Sequence, residues 1–202
     1  VYSVIPNMGG KSGLTGELAV YANGRLDALN SANRGNLVGY GMAPEGLENN
    51  EVVYELICDA GWNTEKIDVT EWLRNYSLCR YGKVTDEVME YWKGLQQSVY
   101  GSFTDHPRYN WQFRPGTVRK GSIHANDAFY EGIESFVKAT PDMKQVPLYQ
   151  VDLIEMTVQY LGGKIEILAQ AIDLAYQNGD NDKAATLETE FEHLRRGADR
   201  LL

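Results

Sequence analysis

Glu45 lies between a proline and a glycine in the run Gly41-Met42-Ala43-Pro44-Glu45-Gly46-Leu47-Glu48-Asn49-Asn50, directly after an apolar segment that reads as a buried strand. Pro44 restrains Ala43 to an extended conformation and has no amide proton, while Gly46 permits a turn or the close approach of a ligand. Glu45 is thereby held stiffly at a strand end, where a carboxylate suits nucleophilic or acid/base work. Acetal hydrolysis uses such groups in pairs, and only one member of a pair is visible here. The other reading is a helix cap, since negative charge at the start of a helix near Glu48 is worth roughly 0.3–1 kcal/mol. The residues alone leave both readings open.

Other motifs carry less chemistry. Gly10-Lys11-Ser12 suggests a phosphate loop, but the glycine required five positions earlier is Ile5, inside a strand. Three histidines, at 106, 124 and 193, have no metal-ligand spacing. Cys58 and Cys79 fall within helical patterns and read as free, partly buried thiols. Asn75-Tyr76-Ser77 matches a glycosylation sequon but lies mid-helix, which favours chance. Phe103, Tyr109, Trp111 and Phe113 crowd an irregular stretch with His106, Arg108 and Arg114. Stacking on sugars is one reading of them, and anchoring a long loop is the commoner one.

The elements that must position Glu45 follow from the pattern. Residues 1–5 read as a strand ending at Pro6-Asn7, residues 15–32 as a helix interrupted near Asn23-Gly24, and residues 36–40 as a second strand. This spacing is that of a crossover unit, so the strands should be parallel, with the loops at 7–12 and 42–50 on one face. Helices follow. One carries Val52, Val53, Leu56, Ile57 and Ala60. A second is capped by Asp68-Val69-Thr70-Glu71, carries Trp72, Leu73 and Tyr76, and ends at Gly82. A third carries Val88, Trp92, Leu95 and Val99. Beyond the irregular residues 101–121, Phe129, Ile133 and Val137 share a face of a helix ending near Pro141. A long helix over 148–177 then carries Val151, Ile154, Val158, Leu161, Ile165, Leu168, Ile172 and Ala175, and Asn178-Gly179-Asp180 breaks it. Leu187, Phe191, Leu194, Ala198 and Leu201 mark a final helix, and the last three helices read as antiparallel packing. No repeat at a fixed period supports a solenoid.

With 202 residues, 43% hydrophobic and 23% charged, the chain is long enough for a substantial core in one large or two small domains. A net charge of -9 with 19 scattered basic residues argues against nucleic-acid binding. No apolar run approaches the roughly 18 residues of a spanning helix, and the first residues lack a signal peptide's flanks. The chain begins at Val1, inside a strand, which suggests a fragment or a processed product.

Asn7-Met8-Gly9-Gly10, the run from Gly41 to Gly46, Glu48-Asn49-Asn50 with Val52-Val53-Tyr54, and Arg80-Tyr81-Gly82 together resemble the lysosomal and bacterial α-N-acetylglucosaminidases, a retaining glycoside hydrolase family. The similarity is strongest over about the first 100 residues and becomes mainly a matching helical pattern beyond Ser122. It implies the end of a (β/α)8 barrel over 1–66, with two parallel strands and a crossover helix, then part of an all-α domain over 67–202, the whole mainly α. It further implies Glu45 as the catalytic nucleophile, Asn7, Gly9 and Gly10 as the preceding strand's active-site loop, and Asn50 and Tyr54 beside the nucleophile. Tyr54 would orient the carboxylate or the sugar, and a core-facing helix tyrosine is its other reading. His124 and Asn126 fall where the family is expected to offer aromatic residues to substrate.

The function so implied is exo-hydrolysis of terminal α-linked N-acetylglucosamine from glycans, without metal or organic cofactor, in a lysosomal, periplasmic or extracellular setting. The family's acid/base glutamate belongs to an earlier strand with no match here, so the chain by itself is expected to be inactive. A barrel remnant would expose edges and apolar faces, which suggests self-association. A non-catalytic helical interaction module and a related glycosidase of other sugar specificity are the alternatives.

Overall fold

The computed structural model describes residues 1–6, 14, 16–44, 51–102 and 126–201. In chain order the first elements are β1 (Tyr2–Val4), β2 (Gly16–Glu17), α1 (Leu18–Asn30) and β3 (Tyr40–Met42). β1 and β3 are parallel, with Tyr2 opposite Tyr40 and Val4 opposite Met42, and α1 connects them. The second strand therefore begins at Tyr40, where the apolar run at 36–40 was expected to end. Tyr40 is the first residue able to stack its ring on Tyr2 and donate its hydroxyl to the Ile57 carbonyl, 2.9 Å away.

α1 runs unbroken through Asn23-Gly24, contrary to the expected interruption. The Asn23 amide group is bonded to both the backbone N–H and the carbonyl of Ile67, 2.9 and 3.1 Å away. Gly24 leaves the space that the Tyr2 hydroxyl occupies. Contacts from distant residues thus offset two poor helix formers.

The helical part comprises α2 (Glu51–Trp62), α3 (Val69–Tyr81), α4 (Asp86–Gln96), α5 (Asp127–Lys138), α6 (Thr140–Met143), α7 (Pro147–Gln177) and α8 (Asn181–Asp199), with β4 (Gly101–Ser102) pairing antiparallel to β2. Asp68 caps α3 by accepting from the amides of Thr70 and Glu71, and Gly82 ends it at φ 76°, in the left-handed region that favours glycine. Val52, Val53, Leu56, Ile57 and Ala60 are all buried, so α2 turns one apolar stripe inward. Truncating such a side chain, Leu56→Ala for example, costs about 2–5 kcal/mol. Val52, Val53, Leu56 and Ile57 join Val4, Leu18, Trp92, Phe129, Phe136 and Met156 in one continuous core spanning the strands and the helices.

α4 and α5 meet backbone to backbone, because a Cβ on Gly94 would lie 2.6 Å from the Ala128 carbonyl oxygen and 2.7 Å from the Gly132 Cα. α7 and α8 form an antiparallel hairpin, turned at Gly179 with φ 74°.

Two expected faces hold in part, with Phe129 and Ile133 of α5 and Ile165, Leu168 and Ala175 of α7 buried as expected. Val137, Val151 and Ile154 are exposed, whereas Phe136, Tyr149 and Met156 are buried, since the aromatic cluster of Tyr81, Tyr91, Phe136 and Tyr149 sets the facing surface. Cys58 and Cys79 are exposed, free thiols rather than partly buried ones. Ser77 of the sequon is buried and accepts a hydrogen bond from Trp92 Nε1 at 2.7 Å.

Candidate active site

The parallel pair directs the chain after β1 and the chain after β3 to the same end of the sheet. The ladder continues past Met42, with the Ala43 amide donating to the Val4 carbonyl at 2.9 Å. Pro44 is exposed, and the helix that resumes the described chain begins at Glu51. Glu45, Asn50, Asn7, Gly9 and Gly10 lie outside the described residues, as do Phe103, Tyr109, Trp111, Phe113, His106, Arg108, Arg114 and His124.

What is described is the frame around the 45–50 segment. α2 is fixed at its far end by Arg25 of α1, whose Nε donates to the Ala60 carbonyl at 2.9 Å and whose Nη2 donates to the Asn63 carbonyl. A cation at a helix C-terminus meets the negative end of the dipole there. Tyr40 presses on Gly61, where a Cβ would lie 2.9 Å from the ring, and burial together with the Tyr2 phenol pushes its own phenol up to about 12. Tyr54, in the first turns of α2, is half-buried and close enough to Tyr21 of α1 to act on its phenol, which burial and Glu17 also raise.

The near end of α2 adjoins a polar knot. Arg80 of α3 donates to both oxygens of Asp152 on α7, from Nε at 2.6 Å and from Nη2 at 2.7 Å, and Tyr81 adds its hydroxyl at 2.7 Å. Arg80 Nη2 also lies 3.9 Å from Glu51 Oε1. Glu155, one turn along α7, has its carboxyl raised by burial and by the charges of Glu51 and Asp152, against the lowering effect of Arg80. Burial likewise pushes up the Tyr76 and Tyr81 phenols. Among these groups lies a cavity of about 30 Å³, lined by Glu51, Tyr76, Tyr81, Tyr100, Asp152 and Glu155. It has room for water and not for a sugar ring.

Arg80-Tyr81-Gly82 was legible as a motif, and its partner Asp152 was not. The only trace of Asp152 is one acid between apolar neighbours, Val151 and Leu153, 72 residues from Arg80. Asn126 caps α5, accepting from the Ala128 amide at 3.0 Å and donating to the Gln97 carbonyl at 3.1 Å. The open depression along α8 by Glu188, Glu192 and His193 is far from this frame in sequence and lined by exposed or half-buried side chains. Among the described residues, no group of three or more His, Cys, Asp or Glu could hold a metal, and no helix is long and apolar enough to cross a membrane.

Residues 1–64 match the alpha-N-acetylglucosaminidase (NAGLU) tim-barrel domain, and residues 72–202 match the alpha-N-acetylglucosaminidase (NAGLU) C-terminal domain. Human alpha-N-acetylglucosaminidase is 29% identical over 182 residues, covering 87% of this chain and 24% of that protein. A family 89 glycoside hydrolase from Clostridium perfringens, in complex with 2-acetamido-1,2-dideoxynojirmycin, superposes over 100% of this chain and 24% of its own, with a TM-score of 0.86 and 25% identity. A variant from the same organism with two glutamate-to-glutamine substitutions, in complex with its substrate GlcNAc-alpha-1,4-galactose, gives the same values. The chain thus spans about a quarter of the length of these relatives.

Proposed function

The chain belongs to the alpha-N-acetylglucosaminidase family of glycoside hydrolases, and from that membership we propose that it forms part of a retaining exo-glycosidase that removes terminal α-linked N-acetylglucosamine from glycans. Glu45 is the nucleophile in this reading. Asn7, Gly9, Gly10 and Asn50 line the sugar site, and Tyr54 orients the carboxylate or the sugar. Residues 1–66 close the barrel and residues 67–202 begin the helical domain.

The observation that carries this reading is the frame. A parallel strand end bonded to Val4 and a helix held at its far end by Arg25 and Tyr40 bracket residues 45–50. The match over the full chain to a relative solved with GlcNAc-alpha-1,4-galactose supports the sugar. A Glu45 oxygen would attack the anomeric carbon while the glycosidic C–O bond breaks and a second carboxyl protonates the departing oxygen. That carboxyl, now ionised, would take a proton from water, whose oxygen displaces Glu45 and restores the original anomeric configuration. Retaining chemistry needs the two carboxyls about 5–5.5 Å apart. One is assigned here, so the 202 residues alone are proposed to be inactive. The natural setting is lysosomal, periplasmic or extracellular. Exposed Val1, Ile5 and Val38 support self-association of the isolated chain.

The test is turnover of an aryl α-N-acetylglucosaminide by the full-length protein that carries these residues. Glu45→Gln abolishes turnover, and a slow substrate labels the peptide containing Glu45 covalently in the parent. Retained turnover in the variant would remove Glu45 from the nucleophile role.

A further inference from the structure

We propose that the cavity enclosed by α2, α3, α4 and α7 is a binding site for one water molecule, which accepts from the Tyr76 and Tyr91 hydroxyls and donates to the Asp152 and Glu155 carboxylates. The site is independent of the nucleophile assignment. Two buried phenols require a partner there. Tyr76 on α3 is 7% exposed and Tyr91 on α4 is 3% exposed, and both line the cavity. Neither hydroxyl has a hydrogen-bond partner among the described residues, although nearby donors are matched: Tyr81 donates to Asp152 and Trp92 Nε1 to Ser77, each at 2.7 Å. Leaving a buried hydroxyl unbonded is costly, so two of them against one cavity call for a polar occupant.

Size and chemistry select the occupant. A volume of about 30 Å³ admits a water molecule and excludes an organic ligand. A metal ion is disfavoured, because both Asp152 oxygens already hold the Arg80 fork. Among the described residues, no group of three or more His, Cys, Asp or Glu could bind one. Burial raises the Tyr76 and Tyr91 phenols, so each keeps its proton and can donate it. Asp152 and Glu155 stand three residues apart on α7, on one face of the helix, and both line the cavity as acceptors. Two donors and two acceptors match what a single water molecule can satisfy. The water thereby joins α3, α4 and α7 at the point where the three helices meet, beside the Arg80–Asp152 pair.

The experiment uses the full-length protein that carries these residues. Its crystal structure, at a resolution that shows ordered water, should place one water within about 2.5–3.0 Å of both hydroxyls. Amide hydrogen exchange is then compared for the parent, Tyr76→Phe, Tyr91→Phe and the double variant. Each single variant should exchange about two- to tenfold faster in α3, α4 and α7, as expected for the loss of one hydrogen bond, with α8 unchanged. The double variant should fall short of the product of the two effects, because both hydroxyls hold the same water. A hydroxyl that bonds no water predicts the opposite sign, since removing an unbonded buried group leaves protection equal or greater. Unchanged or slower exchange in both single variants, or effects that multiply, overturns the proposal. So does a crystal structure with no water at the two hydroxyls, or with an ion at metal distances of about 2.0–2.6 Å. Should either variant fail to fold, the crystal structure decides alone.

Discussion

Asp152 on α7 receives two parallel hydrogen bonds from Arg80 on α3, at 2.6 and 2.7 Å, with the two side chains 13% and 14% exposed. This ion pair ties the helix that follows α2 to the long helix of the second half, and it is sheltered enough that the loss of one partner strands the other.

Asp152→Asn should therefore destabilise the chain by about 1–3 kcal/mol, because the guanidinium loses its bidentate partner and keeps only the 3.9 Å contact with Glu51. Arg80→Met combined with Asp152→Leu should cost less than Asp152→Asn alone. Urea unfolding of the two variants checks this. A double variant at least as unstable as the single one would show that the pair is itself net stabilising.

Gly94→Ala places a methyl group against the Ala128 carbonyl and the Gly132 Cα, both backbone atoms that cannot rotate away. The expected loss is about 1–3 kcal/mol, read as a lower thermal midpoint. Gly82→Ala, with nothing within 4 Å of the added methyl but φ at 76°, separates backbone strain from collision.

Gly24→Ala should have opposite consequences in two backgrounds. In the parent it meets the Tyr2 hydroxyl, whereas after Tyr2→Phe the nearest ring atom is 3.4 Å away. Alanine should then stabilise α1 by up to about 1 kcal/mol over glycine. Additive effects in a denaturation double-mutant cycle would rule out the contact as the reason for glycine.

The Glu155 carboxyl stands above its ordinary value of 4.5 because of burial, then Glu51 and Asp152. A raised folded-state value favours the protonated form, so its contribution to stability is complete below about pH 4.5 and is lost as pH rises through the raised value. Glu155→Gln, which cannot ionise, should be more stable than the parent near pH 7, with the difference closing towards about pH 4. Melting temperatures at the two pH values test the sign.

Local signals identified α2, its buried stripe, the Asp68 cap and the Gly82 stop, because periodicity and caps are properties of neighbouring residues. Long-range contacts were not legible. Asn23 and Gly24 read as a helix break until Ile67 and Tyr2 supply the contacts that tolerate them. Of the face read along α7 from Val151 to Ala175, Ile165, Leu168 and Ala175 are buried, but at its start Val151 and Ile154 are exposed and Tyr149 and Met156 turn inward, Tyr149 against the aromatic cluster. Of the candidate site, Glu45 was legible as a stiffly flanked carboxylate, but which of its two readings holds was not, since a helix cap and a nucleophile have the same local sequence. Tyr54 is the candidate whose position the structure describes, half-buried on α2.

The bond from Asn126 Nδ2 to the Gln97 carbonyl joins residues 29 apart, at the close of α4 and the start of α5. Because Gly94 and Gly132 already hold those helices in backbone contact, both ends of the intervening chain are anchored independently of what lies between. The pairing of α4 with α5 is thus set twice, by a glycine contact within the helices and by a side-chain bond at one end, so a substitution at either leaves the other to keep the two helices in register.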